Sequence, residues 1–198
     1  LLERAINSVL NQTHSPIELI VADDGSTDGS QEYLTEMHEQ GILTAILNTT
    51  GKSKGACYGR NKAISTAKGE FISGLDDDDY FEPWRIETFI KKWQEYTVNK
   101  KVFSAWFDSV VEHRKSGPVA CYDMEVATYQ KLRKGNVVGN QVFTKTSYLK
   151  AVGGFDEQMP ALQDWDTWLR LSNHYGDILN VNTRSYIQIQ NHEGERIT

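Results

Sequence analysis

Four consecutive aspartates, Asp76 to Asp79, constrain the fold of this chain more than any other feature. They follow the apolar segment 70–75 directly and precede a Tyr-Phe-Glu-Pro sequence that ends at Pro83. A short apolar run that ends in carboxylates is typical of a buried strand that delivers acidic groups to the end of a sheet. Like charges this close together repel each other, and a hard divalent cation such as Mg²⁺ or Mn²⁺ commonly compensates for them. The alternative is a solvated acidic turn that caps the helix opened by Pro83.

Composition limits the class of protein. The chain has 198 residues, of which 39% are apolar, and this length suits one globular domain. A formal net charge of −6 argues against a general nucleic-acid-binding protein, which normally presents a basic face. Cys57 and Cys121 are too few for a disulfide framework, which favours reduced thiols and a cytoplasmic setting. No apolar run approaches the roughly 20 residues that span a bilayer, so any membrane association should be peripheral, at the inner face.

Helix and strand patterns alternate over the first two-fifths of the chain, which predicts a mostly parallel sheet covered by helices. Ligands on such sheets gather at the carboxyl ends of the strands. Asp23-Asp24 follows one predicted strand and the four aspartates follow another, so both acid clusters should share one edge. The predicted strands are 17–22, 43–47 and 70–75, and the predicted helices are 2–10, 28–40 and 56–67.

The second half has a less regular pattern and no internal repeat. Its predicted helices are 83–96, 126–133, 146–152 and 164–175. Its predicted strands are 137–144 and 185–190, and the segment 102–111 is predicted to be a strand or a hairpin arm, with a turn at 116–118.

Asp23 and Asp24 leave their strand in an Asp-Asp-Gly-Ser-Thr-Asp segment. A carboxylate at a strand end can accept hydrogen bonds from a uracil edge or from ribose hydroxyls. The segment also suits a purely structural turn and helix cap. A calcium loop that starts at Asp24 is disfavoured, because Thr35 stands at the twelfth position, where a glutamate is needed.

Arg60 lies on the predicted helix 56–67, which precedes the predicted strand 70–75 and the four aspartates. Its planar guanidinium can bind a diphosphate bidentately, or it can pair with the nearby carboxylates as a surface salt bridge. The glycine-rich stretch before it, residues 51–59, lacks the glycine spacing of a Walker loop.

Two further candidates lie near the end of the chain. Asp164 stands at the start of an aromatic helix, where it can cap the helix or act as a general base. Trp165 and Trp168 on that helix suit either the core or a platform for a sugar ring. His192 follows the last predicted strand, where it is either a metal ligand or an exposed residue without a role.

The order of these segments resembles the family 2 glycosyltransferases, which have the GT-A fold. Each motif alone is weak, but five in sequence cover nearly the whole chain. They are 23–28 (Asp-Asp-Gly-Ser-Thr-Asp), 55–61 (a glycine-rich stretch that ends in Arg-Asn), 75–79 (Leu and four Asp), 153–157 (Gly-Gly-Phe-Asp-Glu) and 163–166 (Gln-Asp-Trp-Asp).

The resemblance implies a single domain, residues 1–198, with a mixed, mostly parallel sheet flanked by helices. Residues 1–79 would form the nucleotide-sugar-binding half and residues 80–198 the acceptor-binding half. It also implies the following roles: Asp164 as the catalytic base; Asp23, Asp24, Arg60, Asp76, Asp77 and Trp165 as substrate-binding residues; Asp78 and His192 as metal ligands.

The implied activity is a metal-dependent inverting transfer, with Mn²⁺ or Mg²⁺, from a nucleotide sugar to a hydroxyl of a glycan or lipid-linked acceptor. A UDP-sugar donor and a role in polysaccharide biosynthesis are the specific expectations. A non-catalytic nucleotide- or glycan-binding domain and a sugar-nucleotide pyrophosphorylase are the alternatives. Two departures from the family pattern stand out: its opening strand is expected before Leu1, and Gln163 replaces the usual glutamate beside the base.

Overall fold

The computed structural model describes residues 1–98, 102–114, 117–121 and 124–189, and all structural statements refer to these ranges. The helices are α1 (Leu2–Leu10), α2 (Ser30–Glu39), α3 (Ala56–Thr66), α4 (Arg85–Val98), α5 (Tyr129–Leu132), α6 (Thr146–Ala151) and α7 (Gln163–Tyr175). The strands are β1 (Ile20–Asp23), β2 (Thr44–Leu47), β3 (Phe71–Ser73), β4 (Tyr80–Phe81), β5 (Ala105–Phe107), β6 (Val110–Arg114), β7 (Gly117–Cys121), β8 (Val126–Ala127), β9 (Phe143–Lys145), β10 (Ile178–Asn180) and β11 (Tyr186–Ile189).

The N-terminal part is built on the parallel pair β1 and β2, in which Asp23 lies opposite Leu47. Apolar residues on α1 and α2 recur at helical spacing and bury one face of each helix against this pair. Ile6, Leu34 and Met37 form the centre of that small core. The helix α3 also packs on β1, where Gly59 allows close approach, since a Cβ there would lie 3.4 Å from the Cβ of Ala22.

The central sheet has five strands in the order β3-β9-β5-β10-β8. The strands β5 and β10 are parallel, and the other neighbours are antiparallel. Trp168 and Leu171 of α7 belong to a core cluster with residues of β5 and β10. Phe89 and Trp93 of α4 pack into a separate aromatic cluster with residues of β5 and β9. This packing fixes α7, whose first turn carries Asp164.

A third sheet has the order β4-β11-β6-β7, and its strand β11 runs back toward the acid-rich loop. The turn before β11 is held by Asp108, which accepts hydrogen bonds from the backbone N–H groups of Thr183, Arg184 and Ser185. Arg85 pairs with Asp108 at 3.4 Å, and both side chains are almost completely buried. The buried carboxylate therefore fixes the path of the chain into β11.

The predicted α/β class with mixed sheets is confirmed. Among the described strands, three pairings are parallel and five are antiparallel, so the sheets are not mostly parallel as predicted. Three predicted elements of the second half differ from the structure. The predicted strand 102–111 divides into β5 and β6, the predicted helix 126–133 is β8 followed by the short α5, and the predicted strand 137–144 is regular only from Phe143. No helix in the described ranges has the length and apolar character that crossing a membrane requires.

Candidate active site

Asp23 ends β1 and begins the first acidic loop. Its Oδ1 accepts hydrogen bonds from the backbone N–H groups of Gly25 and Ser26, both at 3.0 Å, and from Nε2 of Gln31 at 2.6 Å. Partial burial opposes ionisation, but the hydrogen bonds from Ser26, Gln31 and Gly25 outweigh it and hold the pKa of Asp23 below its ordinary value. The carboxylate is thus fixed and negatively charged at the strand end.

Asp24 has a different environment, because both of its oxygens are bound by the protein. Ser53 Oγ lies 2.6 Å from Oδ2, the backbone N–H of Gly55 lies 2.7 Å from Oδ2, and Asn48 Nδ2 lies 2.8 Å from Oδ1. Slight burial raises the pKa, but these donors and the N–H of Lys54 lower it to about 2. Asp24 therefore organises the loop that leads into α3.

The helix α3 joins the two acid clusters. Gly55, which Asp24 binds, is the N-cap of α3, and Arg60 lies five residues further on, about 7.5 Å along the axis. The Arg60 guanidinium donates to Oδ1 of Asp76 at 3.1 Å, and both side chains remain about one-third exposed, at 33% and 30%. The structure thus links Asp24 and Asp76 through α3 and Arg60. The predicted common sheet edge is not formed in the described ranges, because β1 and β3 belong to different sheets.

The carboxylate of Asp76 is held from two sides. Besides Arg60, Asn140 Nδ2 donates to Oδ2 at 2.9 Å and Gln141 Nε2 donates to Oδ1 at 3.4 Å. Gly74 leaves room for Gln141, since a Cβ on this glycine would lie 2.0 Å from Oε1 of Gln141.

The remaining aspartates of the run differ in exposure. Asp77 is exposed. Desolvation of its carboxyl group by the surrounding protein, together with the negative charge of Asp78, raises its pKa. The backbone carbonyl of Asp78 accepts a hydrogen bond from Arg4, which helps to hold the loop. Asp79 is fully buried and accepts hydrogen bonds from the Tyr186 hydroxyl at 2.8 Å and from the Ile189 N–H at 3.1 Å. These two hydrogen bonds anchor the loop to β11. Burial raises the pKa of Asp79 to about 6.

Asp164 lies in the first turn of α7 and is half-buried. The structure does not support the capping alternative, because the N-cap is Leu162 and no side chain there forms a cap hydrogen bond. Instead, Oδ2 of Asp164 accepts a hydrogen bond of 2.9 Å from Nδ2 of Asn136. Trp168 is only 1% exposed and belongs to the core. The Trp165 indole N–H donates to the carbonyl of Leu132 at 2.6 Å, and its half-buried ring packs against the core cluster that contains Trp168.

Sequence reasoning missed the segment 136–141, which connects the two halves of the site. Asn136 contacts Asp164, and four residues later Asn140 contacts Asp76. The predicted strand over 137–144 obscured this loop. The Asn and Gly residues within 135–140 are a turn signal that could have indicated it.

A divalent cation fits the chemistry of this loop. Asp78, which the family resemblance assigns to the metal, carries hard carboxylate oxygens, and Mg²⁺ sites often combine one or two carboxylates with phosphates and water. Within the described ranges, no group of three or more His, Cys, Asp or Glu residues has the arrangement of a complete metal site. His192 lies outside the described residues, so its role stays a prediction.

The helices and mixed sheets make this an α/β domain, and comparison with known proteins identifies its family. The chain belongs to glycosyl transferase family 2, whose pattern it matches over residues 1–149. It is therefore a glycosyltransferase by family. It is 34% identical to the putative colanic acid biosynthesis glycosyl transferase WcaA of Escherichia coli (strain K12), over 98% of this chain and 70% of that protein.

Other relatives are longer. The chondroitin synthase of Pasteurella multocida (strain Pm70) is 26% identical over 95% of this chain, which spans only 19% of that protein. S. aureus TarS in complex with UDP-GlcNAc superposes with a TM-score of 0.75 and 19% identity, over 99% of this chain and 56% of that chain. A mannosyltransferase from Pyrobaculum calidifontis in complex with GDP-Man and Mn²⁺ has a TM-score of 0.69 and 19% identity, over 98% and 54% of the two chains. These structures share the predicted GT-A fold with this chain.

Proposed function

We propose that this chain transfers a sugar from a UDP-sugar to a hydroxyl of a glycan or lipid-linked acceptor during polysaccharide biosynthesis, with inversion at the anomeric carbon. One observation carries the proposal. Asp76 is hydrogen-bonded both to Arg60, on the helix that starts beside Asp24, and to Asn140, on the segment that holds Asp164. The residues assigned to the donor and the base assigned to the acceptor are thus connected through α3, Asp76 and the segment 136–141.

The donor half of the site would be residues 1–79. Asp23, fixed and ionised at the end of β1, would accept hydrogen bonds from the nucleoside. We assign Asp24 an indirect contribution to the same ligand, because its oxygens already bind the 53–55 backbone and side chains. Arg60 is partly exposed beside Asp76 and can turn its guanidinium toward a diphosphate.

Asp78 and His192 would hold the divalent cation, and Asp76 and Asp77 would contribute to the neighbouring substrate site. Bound there, Mn²⁺ or Mg²⁺ would supply positive charge to the diphosphate leaving group. The Pyrobaculum mannosyltransferase complex, which contains Mn²⁺ and has the same fold, supports this cofactor.

The acceptor half, residues 80–198, would supply the base. Asp164 takes the proton from the acceptor hydroxyl while that oxygen bonds to the anomeric carbon and the bond from this carbon to the diphosphate breaks. The nucleoside diphosphate leaves from the opposite face, which inverts the configuration without a covalent enzyme intermediate. The ring of Trp165, fixed through its N–H, can support the acceptor sugar.

The relatives support these assignments at different levels. The colanic acid transferase supports a role in polysaccharide biosynthesis, and the TarS complex supports a UDP-sugar donor. Family membership favours transfer over the pyrophosphorylase alternative. We propose a cytoplasmic location, at the inner membrane face if the acceptor is lipid-linked.

Asp164→Asn tests the proposal. General-base catalysis contributes about 10²–10⁴-fold, so this variant should lose at least roughly tenfold in turnover while it still binds UDP. The assay is release of UDP from a panel of UDP-sugars with Mn²⁺. Unchanged turnover would remove Asp164 from the mechanism. Donor binding by the unsubstituted chain without any turnover would favour the non-catalytic binding domain.

A further inference from the structure

We propose that Asn136 and Asn140 are positioning residues, which hold the base Asp164 and the donor-side carboxylate Asp76 in a fixed relation through the short segment 136–141. The inference rests on the proposed function and deepens it. It assigns to this segment the alignment of the acceptor hydroxyl with the leaving group.

Both ends of the Asn136 amide are used, which fixes its orientation. Oδ1 accepts from the backbone N–H groups of Val138 at 3.2 Å and Gly139 at 3.1 Å. Nδ2 donates to the carbonyl of Gly139 at 3.1 Å and to Oδ2 of Asp164 at 2.9 Å. A flipped amide would set its oxygen against two other acceptors, so only one orientation satisfies these partners.

The segment is also attached to α7 itself. The indole N–H of the buried Trp168 donates to the Gly139 carbonyl at 2.9 Å. Gly139 adopts a φ of +88°, and the side chain of Val138 is 1% exposed. Because Trp168 lies one helical turn after Asp164, the base and the segment that orients it share one rigid support.

The other end of the segment holds the donor side. Asn140 Nδ2 donates to Oδ2 of Asp76 at 2.9 Å and to the hydroxyl of Tyr186 at 3.3 Å. That hydroxyl in turn donates to the buried Asp79. Asn140 thereby ties the four-aspartate loop and β11 to the segment that orients the base.

This arrangement suits a single displacement. Asn136 binds Oδ2 of Asp164 and so directs the other oxygen, Oδ1, to the acceptor hydroxyl. Asn136 and Asn140, which bind the base and Asp76, are four positions apart, so their Cα atoms lie at most about 14 Å apart. The short segment therefore limits how far the base and Asp76 can move relative to each other. Correct placement of reacting groups is a large part of catalysis, and a small displacement from a remote change lowers the rate markedly.

Two isosteric substitutions test the inference. Asn136→Asp keeps the oxygen that accepts from Val138 and Gly139, but it sets a carboxylate oxygen against Asp164. Asn140→Asp makes the same chemical change at the other end of the segment, against Asp76. The readout is steady-state UDP release from the active UDP-sugar with Mn²⁺, together with the Kd for UDP and the thermal midpoint of each variant.

We expect Asn136→Asp to lower kcat at least tenfold with the donor KM within about twofold, and Asn140→Asp to raise the donor KM and the Kd for UDP at least fivefold. In an Asp164→Asn background, Asn136→Asp should cause no further loss of kcat. A general loss of structure would instead lower turnover in both backgrounds.

Two outcomes overturn the inference: an unchanged kcat in Asn136→Asp, or a full further loss in the Asp164→Asn background. If Asn136→Asp does not fold, Asn136→Ser keeps a local acceptor and lacks the amide donor, and it should show the same selective loss of kcat. Failure of the proposed function is distinguishable, because the unsubstituted protein would then release no UDP from any sugar donor.

Discussion

Arg60 Nη2 lies 3.1 Å from Oδ1 of Asp76, and this contact connects the helix that follows the first acid cluster to the loop that carries the second. Both side chains are about one-third exposed. Exposed ion pairs contribute only about 0–1 kcal/mol to stability, so the contact matters mainly for where the guanidinium lies.

Arg60→Lys should therefore impair donor binding and leave folding nearly unchanged. Lysine keeps the charge but loses the planar fork that binds a diphosphate bidentately. We expect the donor KM to rise roughly tenfold, with a change of less than about 1 kcal/mol in the free energy of unfolding. Lys91→Ala, which removes an exposed ion pair with Glu87 on α4, is the control and should alter neither quantity. A donor KM unchanged in Arg60→Lys would remove Arg60 from the donor site.

The lowered pKa of Asp24 should make the stability of the protein depend on pH. Its pKa is about 2 in the folded chain and 3.8 as the ordinary value, so the unfolded state takes up the proton first as the pH falls. The stabilisation is complete above about pH 4 and is lost progressively toward pH 2. Because the side chain is partly exposed, we expect it to amount to about 1 kcal/mol after solvent screening.

Asp24→Asn should therefore lower the free energy of unfolding at pH 7 and flatten its decline between pH 4 and pH 2. Urea unfolding at a series of pH values measures both effects. Glu32→Gln, which removes an exposed carboxylate in the first turn of α2, is the control and should leave the pH profile unchanged. Equal pH profiles for Asp24→Asn and the unsubstituted chain would contradict this assignment.

Alanine substitutions at the adjacent glycines Gly153 and Gly154 should differ in their effect on the free energy of unfolding. Gly153 and Gly154 both have positive φ, at +86° and +66°, but only at Gly154 would a Cβ meet a described residue closely, 2.4 Å from Oδ1 of Asn61. That oxygen accepts from the N–H of Phe155 at 2.8 Å. Gly154→Ala should thus cost roughly 1 kcal/mol more than Gly153→Ala in chemical unfolding, because it adds a broken hydrogen bond to the backbone strain. Equal losses would show that the contact with Asn61 contributes nothing.

The sequence predicts the first half of the fold well, because local patterns determine it. Apolar periodicity locates α1 to α3, and the strand expected at 17–22 lies at Ile20–Asp23. The shift has a physical reason: the Glu18 carboxylate accepts hydrogen bonds from the N–H groups of Lys68 and Gly69 before the strand begins.

The second half is determined by contacts between distant parts of the chain, which periodicity does not reveal. Asn136 and Asp164 are 28 positions apart, and Asn140 and Asp76 are 64 apart. Asp108, which fixes the chain before β11, is bound to residues 75 to 77 positions away. None of these polar residues carries a local signal of its partner. The aspartates of the two acid clusters, by contrast, lie at or shortly after the ends of β1 and β3, and the sequence indicates both strands.

The most direct measurement is the thermal stability of the chain with nucleoside diphosphates, with and without Mn²⁺, for the unsubstituted protein and Asp78→Asn. Ligand binding raises stability by mass action, by about 2.7 kcal/mol at a concentration of 100 Kd. We predict that UDP stabilises the protein strongly only with Mn²⁺, and that Asp78→Asn abolishes the metal-dependent part. Stabilisation by UDP that is the same without Mn²⁺, or the same in Asp78→Asn, would contradict the assignment of the four-aspartate loop to the metal and the donor diphosphate.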